Sequence, residues 1–184
     1  MDATKITTGK RKTAGGIYCA PANTTLPTDA TTALASAFKE LGYVAEDGVV
    51  NSISRETTDV KEWGGDVVDT IITGQTDAFK FKLMESVNVD TLKAVFGSAN
   101  VTESSGAITV TVKSDNPTSY VWVIDMAIKN NRMKRIVIPD GKITALGDIS
   151  YKSTEMTMYD VTLSCAYDST IGGTHKEYVS ATPT

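Results

Sequence analysis

The residues of this 184-residue chain best suited to chemistry are a cluster of acids, one histidine and two cysteines. Between Glu46 and Asp69 seven carboxylates (Glu46, Asp47, Glu56, Asp59, Glu62, Asp66, Asp69) stand against only Arg55 and Lys61, a net −5. Such a density could hold a divalent cation, but the D-x-[DN]-x-[DN]-G loop is absent and no histidine accompanies the acids. Glu46-Asp47-Gly48 reads instead as a turn. Paired carboxylates for glycoside hydrolysis could be drawn from many positions, so their presence discriminates nothing. His175 is the only histidine, in GGTHKEY, and reads as a solvated loop residue; a Ser-His-Asp or Cys-His site would have to be built wholly around it. GKRKTAGG has the Gly-Lys of a phosphate loop without the first glycine or a preceding strand. No catalytic, cofactor-binding or metal-ligating residue is assigned, no cofactor is expected, and an enzyme is not expected.

Cys19 and Cys165 lie far apart with no CxxC spacing, which predicts two buried free thiols rather than a disulfide framework. No apolar run is long enough to span a membrane, and the first residues lack the hydrophobic core of a signal peptide. The protein is therefore expected to be made and kept in a reducing cytoplasm. Net charge is −4, yet residues 1–20 carry +3. An acidic body argues against tight nucleic-acid binding, since affinity for phosphate comes from clustered Lys and Arg.

The elements that must position these residues are mostly strands. Residues 1–16 read as a flexible basic arm, and 17–184 as a single domain. Ile17–Ala20 reads as a short strand stopped by Pro21. TDATTALASAFKELG predicts the clearest helix, with Thr28 or Asp29 as cap, a stripe of Leu34, Phe38 and Leu41, and Gly42 as stop. NVDTLKAVFG predicts a shorter helix between Asn88 and Gly97. DAFKFKLME, AITVTVK and YDVTLSCAY alternate as strands, and RIVIPDGKI reads as a strand running into a Pro-Asp-Gly turn. SYVWVIDMAIK is apolar on both parities, so it should be covered on both faces. About eight strands with one or two short flanking helices fit a mainly β, antiparallel sandwich or barrel-like fold.

Charge suggests association. Opposite the acidic stretch stands KNNRMKR, where Lys129, Arg132, Lys134 and Arg135 contribute four positive charges without an intervening acid. This could be a solvated hairpin tip. It could also be a basic rim that meets the acidic segment of the next copy, a heterologous contact that generates rings or open stacks. A sheet face left bare in the monomer and buried by a neighbour would fit the second reading.

The stretches GGIYCAPANTTLPTDATTAL, FKELGYVAEDGV, VKEWGGDVV, TDAFKFKLMES and KRIVIPDGKI resemble, in this order, the major tail proteins (tail tube proteins) of long-tailed, siphovirus-type bacteriophages of Gram-positive bacteria. The resemblance covers most of the chain; one departure is Ala22-Asn23-Thr24, where a glycine would be expected. It implies a β-sandwich tube domain, without appended immunoglobulin-like decoration, whose six copies form a ring. Inner sheets would join into one barrel, and stacked rings would form the hollow conduit for DNA delivery. It further implies a tape-measure protein, a tail tip initiator and a tail terminator as partners, with double-stranded DNA passing through unbound. The location would be the virion tail, with assembly in the host cytoplasm.

On this reading Arg55, Glu56, Lys61, Glu62 and Trp63 are candidates for a loop reaching the next ring, and Asp59, Asp66 and Asp69 for an acidic lumen that repels phosphate. Lys129, Arg132, Lys134 and Arg135 are the basic rim candidates. The arm and residues 46–69 are expected to be disordered before assembly. The alternatives are a tube of a contractile tail or secretion apparatus, or a monomeric carbohydrate-binding β-sandwich.

Overall fold

One sheet, bent until distant strands touch, makes up most of the protein. The structure, a computed structural model, describes residues 7–11 and 16–181. Its strands are β1 (Lys10–Arg11), β2 (Ile17–Pro21), β3 (Lys39–Glu40), β4 (Val44–Lys61), β5 (Val67–Leu83), β6 (Val101–Ser104), β7 (Ala107–Val110), β8 (Tyr120–Ile128), β9 (Arg132–Leu146), β10 (Tyr159–Cys165) and β11 (Lys176–Val179). The main sheet runs β3-β2-β8-β9-β10-β5-β4, with β1 beside β8 and β11 beside β9. All its pairings are antiparallel. β8 and β5 are separated by two strands, yet the rings of Phe81 and Trp122 lie 6.1 Å apart. The sheet has therefore curled around its own core. A separate hairpin, β6–β7, and one helix, α1 (Val89–Phe96), close the lower end.

α1 forms as its sequence predicts. Asn88 Oδ1 accepts from the amides of Asp90 and Thr91, and Gly97 at φ 91° stops the helix. Leu92 and Ala94 enter the main core with Phe79, Phe81, Trp122, Ile138, Val161 and Leu163. Cys19 and Cys165 are free and buried, and loss of hydration pushes both thiols up to about 12.

The other expected helix does not form. Asp29 does cap a turn, its Oδ1 accepting from the amides of Thr31 and Thr32 at 2.6 Å each. Beyond it, residues 33–38 are irregular and lead into β3. The apolar stripe has been divided between the two faces of the sheet: Leu41 joins the main core, while Phe38 and Leu34 pack on the opposite face with Val121, Val123 and Val137. A helix would hold all three residues on one side. The carbonyls of Asp29 and Thr32, which a helix would use internally, accept instead from Arg135 Nη1 at 3.1 and 2.8 Å.

This segment is also what covers the second face of β8. The doubly apolar strand is buried on both sides as expected, but by its own chain rather than by a neighbour.

Three smaller expectations change as well. Pro139-Asp140-Gly141 is an irregularity inside β9, not a turn: Tyr120 pairs with Gly141 and Trp122 with Ile138. A Cβ on Gly141 would sit 2.6 Å from Trp122 Cδ1, so glycine is what admits the indole, whose Nε1–H donates to the Gly141 carbonyl at 3.1 Å. Glu46-Asp47-Gly48 is a bulge in β4, between the pairs Val44–Leu83 and Val49–Phe81. Asn23, where a glycine was expected, adopts φ 66° and does glycine's work in the turn. Of the expected arm, Lys10–Arg11 pairs with Met126–Ala127 of β8; residues 1–6 and 12–15 lie outside those described.

Candidate functional site

β4 and β5 continue far beyond the sheet that carries them. β10 covers β5 only from Ala78 to Leu83, whereas β4 and β5 stay paired out to Lys61 and Val67. From Asn51 to Ile72 nearly every residue is exposed on both faces. At about 3.3 Å per residue, the dozen residues from Ser52 to Trp63 project roughly 35 Å. The tip is closed by Glu62–Asp66, with the Glu62 amide donating to the Asp66 carbonyl at 2.9 Å and Gly65 at φ 96°. Trp63 stands at the tip with its side chain wholly in solvent, 104% exposed. Val50, Ile53, Val60, Val67, Val68, Ile71 and Ile72 are also exposed. An isolated two-stranded ribbon is marginal in water, and this one leaves apolar side chains on both of its faces.

The base of the ribbon is pinned. Asp77 of β5 is 2% exposed. One carboxylate oxygen accepts from Asn51 Nδ2 of β4 at 2.7 Å; the other accepts from Thr174 Oγ1 at 2.6 Å and faces His175 Nδ1 at 2.6 Å. Burial opposes ionisation of Asp77, but the hydrogen bonds from Thr174, Asn51 and His175 together outweigh it and hold the carboxyl below its ordinary value. His175, expected in open solvent, is thus a clamp that also packs edge-on against Phe79 at 5.2 Å. Nothing in GGTHKEY signals this, because its partner lies 98 residues away.

Register decides where the acids point. Two irregularities, at Thr73 and Val68, shift the pairing from Glu56–Gly74 to Thr57–Ile72 and from Val60–Asp69 to Lys61–Val67. One face of the projecting ribbon then carries Arg55, Asp59 and Lys61, with Thr70 Oγ1 donating to Asp59 at 2.9 Å. The opposite face carries Glu56 and Asp69. Asp66 and Glu62 belong to the tip. Asp59 and Asp69 therefore cannot line one common wall. Toward the base the Glu56–Asp69 face continues as Lys80 and Lys82 of β5 beside Asp160 and Thr162 of β10. Lys82 meets Asp47 at 2.8 Å. The charge on this face is mixed rather than uniformly acidic, and along the ribbon it also carries the exposed Val50, Val60 and Ile71.

The basic cluster divides as well. Lys129 is exposed by the tight β8–β9 turn, where Asn130 and Asn131 both take positive φ. Arg132 Nε donates to the Ser180 carbonyl, and Lys134 pairs with Glu177 at 2.8 Å. Arg135 is not a rim residue: it is 1% exposed and makes a two-pronged ion pair with Asp125, Nε to Oδ1 at 2.7 Å and Nη2 to Oδ2 at 2.8 Å. The alternation of β9 turns it into the molecule while Lys134 points out. The pairing chain β8-β9-β10-β5 also puts the β8–β9 turn and the hairpin tip at the same end of the sheet. Translating one copy along the strands cannot bring the two together; only a side-by-side neighbour can.

Among the described residues no cluster of three or more His, Cys, Asp or Glu is placed to hold a metal ion, and no helix is long and apolar enough to cross a membrane. A family model described as phage tail tube protein matches residues 9–175. No curated protein matches. Among solved structures, the chain is similar to the anti-feeding prophage cap, a tube terminating cap (TM-score 0.47, 8% identity, 93% of this chain and 92% of that one). It is also similar to a chain of the virion of a native gene transfer agent particle (TM-score 0.41, 12% identity, 80% and 92%). A third likeness is to an extracellular contractile injection system, PVC sheath–tube complex in the extended state (TM-score 0.42, 8% identity, 94% and 92%).

Proposed function

The chain belongs to the phage tail tube protein family, a structural component of the virion tail that assembles into an oligomeric tube, and from that premise we propose that the β4–β5 hairpin is the element that joins its copies. The observation carrying this is a long ribbon with exposed valines, isoleucines and a tryptophan, uncovered on either face. Such a ribbon gains its stability when other copies bury it. β4 is also a terminal strand of the sheet, and its free edge offers backbone groups to a neighbour.

Six copies form a ring whose sheets join edge to edge, and rings stack into the tube. The face bearing Glu56, Asp69, Lys80, Lys82 and Asp160 lines the channel, since at its base it is the uncovered, hydrophilic side of β5 and β10. Duplex DNA slides past a wall of mixed charge without a basic cluster to hold it. Arg55, Lys61, Glu62 and Trp63 meet the next ring, and Lys129, Arg132 and Lys134 meet acids of a lateral neighbour. Assembly takes place in the host cytoplasm on a tape-measure protein, from a tip initiator to a terminator.

Electron microscopy of concentrated protein tests the central claim. Wild type is expected to give rings or hollow tubes, and a variant with residues 54–74 replaced by a short turn only folded monomers. Normal tubes from the shortened variant, or from Trp63→Ala, would overturn the joining role of the hairpin.

A further inference from the structure

The exposed tip has a counterpart at the far end of the strand that carries it. β5 spans 17 residues, from Val67 beside the tip to Leu83, where Tyr159 pairs with it. At about 3.3 Å per residue the two ends lie roughly 55 Å apart. Just past Leu83, the chain and α1 border a groove of about 390 Å³ that opens between the helix, β7 and the segment before β10. Its walls are Val87, Phe96, Val110, Val112, Tyr151 and Tyr159. Val87, Val112 and Tyr151 are 80%, 78% and 79% exposed, so the groove mouth presents bare apolar surface.

We propose that this groove receives the Trp63 tip of the hairpin of a second copy, the next along the tube. The inference rests on the reading of the hairpin as the joining element and names what it joins to. Polarity is the first argument. A knob and a socket at opposite ends of one strand are brought together by translating a copy along that strand, which gives a head-to-tail, open-ended contact. A knob and socket at one end would instead close a pair. The second argument is chemical. An exposed indole, with the exposed Val67 and Val68 just beyond the turn on β5, suits a groove of valines and aromatic rings, and tryptophan is among the residues enriched as buried anchors at interfaces. Charge contributes little to the choice, because Lys113 and Lys152, which follow Val112 and Tyr151 in the chain, are balanced by Asp115 and by Glu155, the latter 3.0 Å from Lys152. The contact is therefore insensitive to salt, unlike the lateral contacts proposed for Lys129, Arg132 and Lys134.

Area gives the third argument. A tryptophan buries roughly 150–250 Å², while a stable pairwise interface needs about 800 Å² from each partner. One tip in one groove cannot hold two free copies together. Several tips presented by a ring bind in concert, through effective concentration. The same contact thus leaves single copies dispersed and makes stacking cooperative once a ring exists.

The test is a benzophenone amino acid replacing Val68, just below a tip that keeps Trp63, in the full chain assembled at high concentration. Cross-links are expected from position 68 of one copy to peptides holding Val87, Phe96, Val112 or Tyr151 of another. Val112→Glu and Tyr151→Glu, both on the surface, should lower tube yield at least tenfold at unchanged melting temperature and circular dichroism. Cross-links that map to other segments, tubes lacking intermolecular cross-links, or groove variants with wild-type tube yield would overturn the proposal. These results leave the hairpin reading intact if Trp63→Ala still abolishes tubes; normal tubes from Trp63→Ala defeat that reading instead.

Discussion

Two parts of the same sheet treat their second face in opposite ways. Around β8 and β9, the face turned away from the main core is covered by residues of the chain's own 22–38 segment, with Phe38 and Leu34 set on Val121, Val123 and Val137. Arg135 locks that cover by reaching from its ion pair with Asp125 to the carbonyls of Asp29 and Thr32. In the β4–β5 ribbon neither face is covered, and apolar side chains stand in water. The first region is finished within one copy. The second is the part that, in the proposed tube, other copies finish. A protein that must stay dispersed and later polymerise needs both conditions, and this sheet separates them along its length.

The contrast is sharpest at Arg135. Arg135→Ala strips the buried Asp125 of its partner and releases the cover, a change that typically costs about 3–5 kcal/mol. Chemical denaturation should show a loss of that size, a large part of the total for a domain this small. A loss below about 1 kcal/mol would mean that the cover is held by apolar packing alone.

Asp77, at the junction of the two regions, comes next. Asp77→Ala leaves Asn51, Thr174 and His175 without their common acceptor and should cost roughly 1–3 kcal/mol. Its pH signature is specific. The folded state holds the Asp77 carboxyl below its ordinary value, so the stabilisation is complete above the unfolded value of about 4 and is lost as pH falls below it. Wild type should therefore lose stability below about pH 4 more steeply than Asp77→Ala; parallel curves would show that the clamp contributes nothing.

The smallest effect is expected in the ribbon itself. Trp63→Ala should change monomer stability by no more than about 0.5 kcal/mol, since the side chain touches nothing. Backbone amides of 54–73 should exchange with solvent far faster than those of β8 and β9 in the monomer, and slow down in tubes. Equal protection of the two regions in the monomer would erase the comparison.

What could be read in advance follows the range of the interaction responsible. α1 was legible because its cap, buried stripe and stop all lie within ten residues. β2, β8 and β10 were legible from alternation or from apolar character on both parities. The helix expected over 28–42 carried an equally clear local pattern and does not exist, because Arg135, more than a hundred residues downstream, claims its carbonyls. The upper ribbon was read as a loop because solvent on both faces leaves no alternation to detect. Trp63 was named as a loop residue through the family resemblance, and it stands at the tip of the hairpin.

Composition and local order thus determined by themselves that the chain is mainly β, that its cysteines are free, and that seven acids crowd the stretch from Glu46 to Asp69. Tertiary structure alone decided which way those acids face. Without the extra residue at Thr73, Asp69 would share the odd-numbered face of β5 with Phe79 and Asp77; with it, Asp69 sits opposite Val60 on the other side. It alone also turned Arg135 from a presumed surface charge into a buried clamp. A side chain's type and spacing are local properties, whereas its direction depends on strand register, and register is settled by partners that lie far away in the chain.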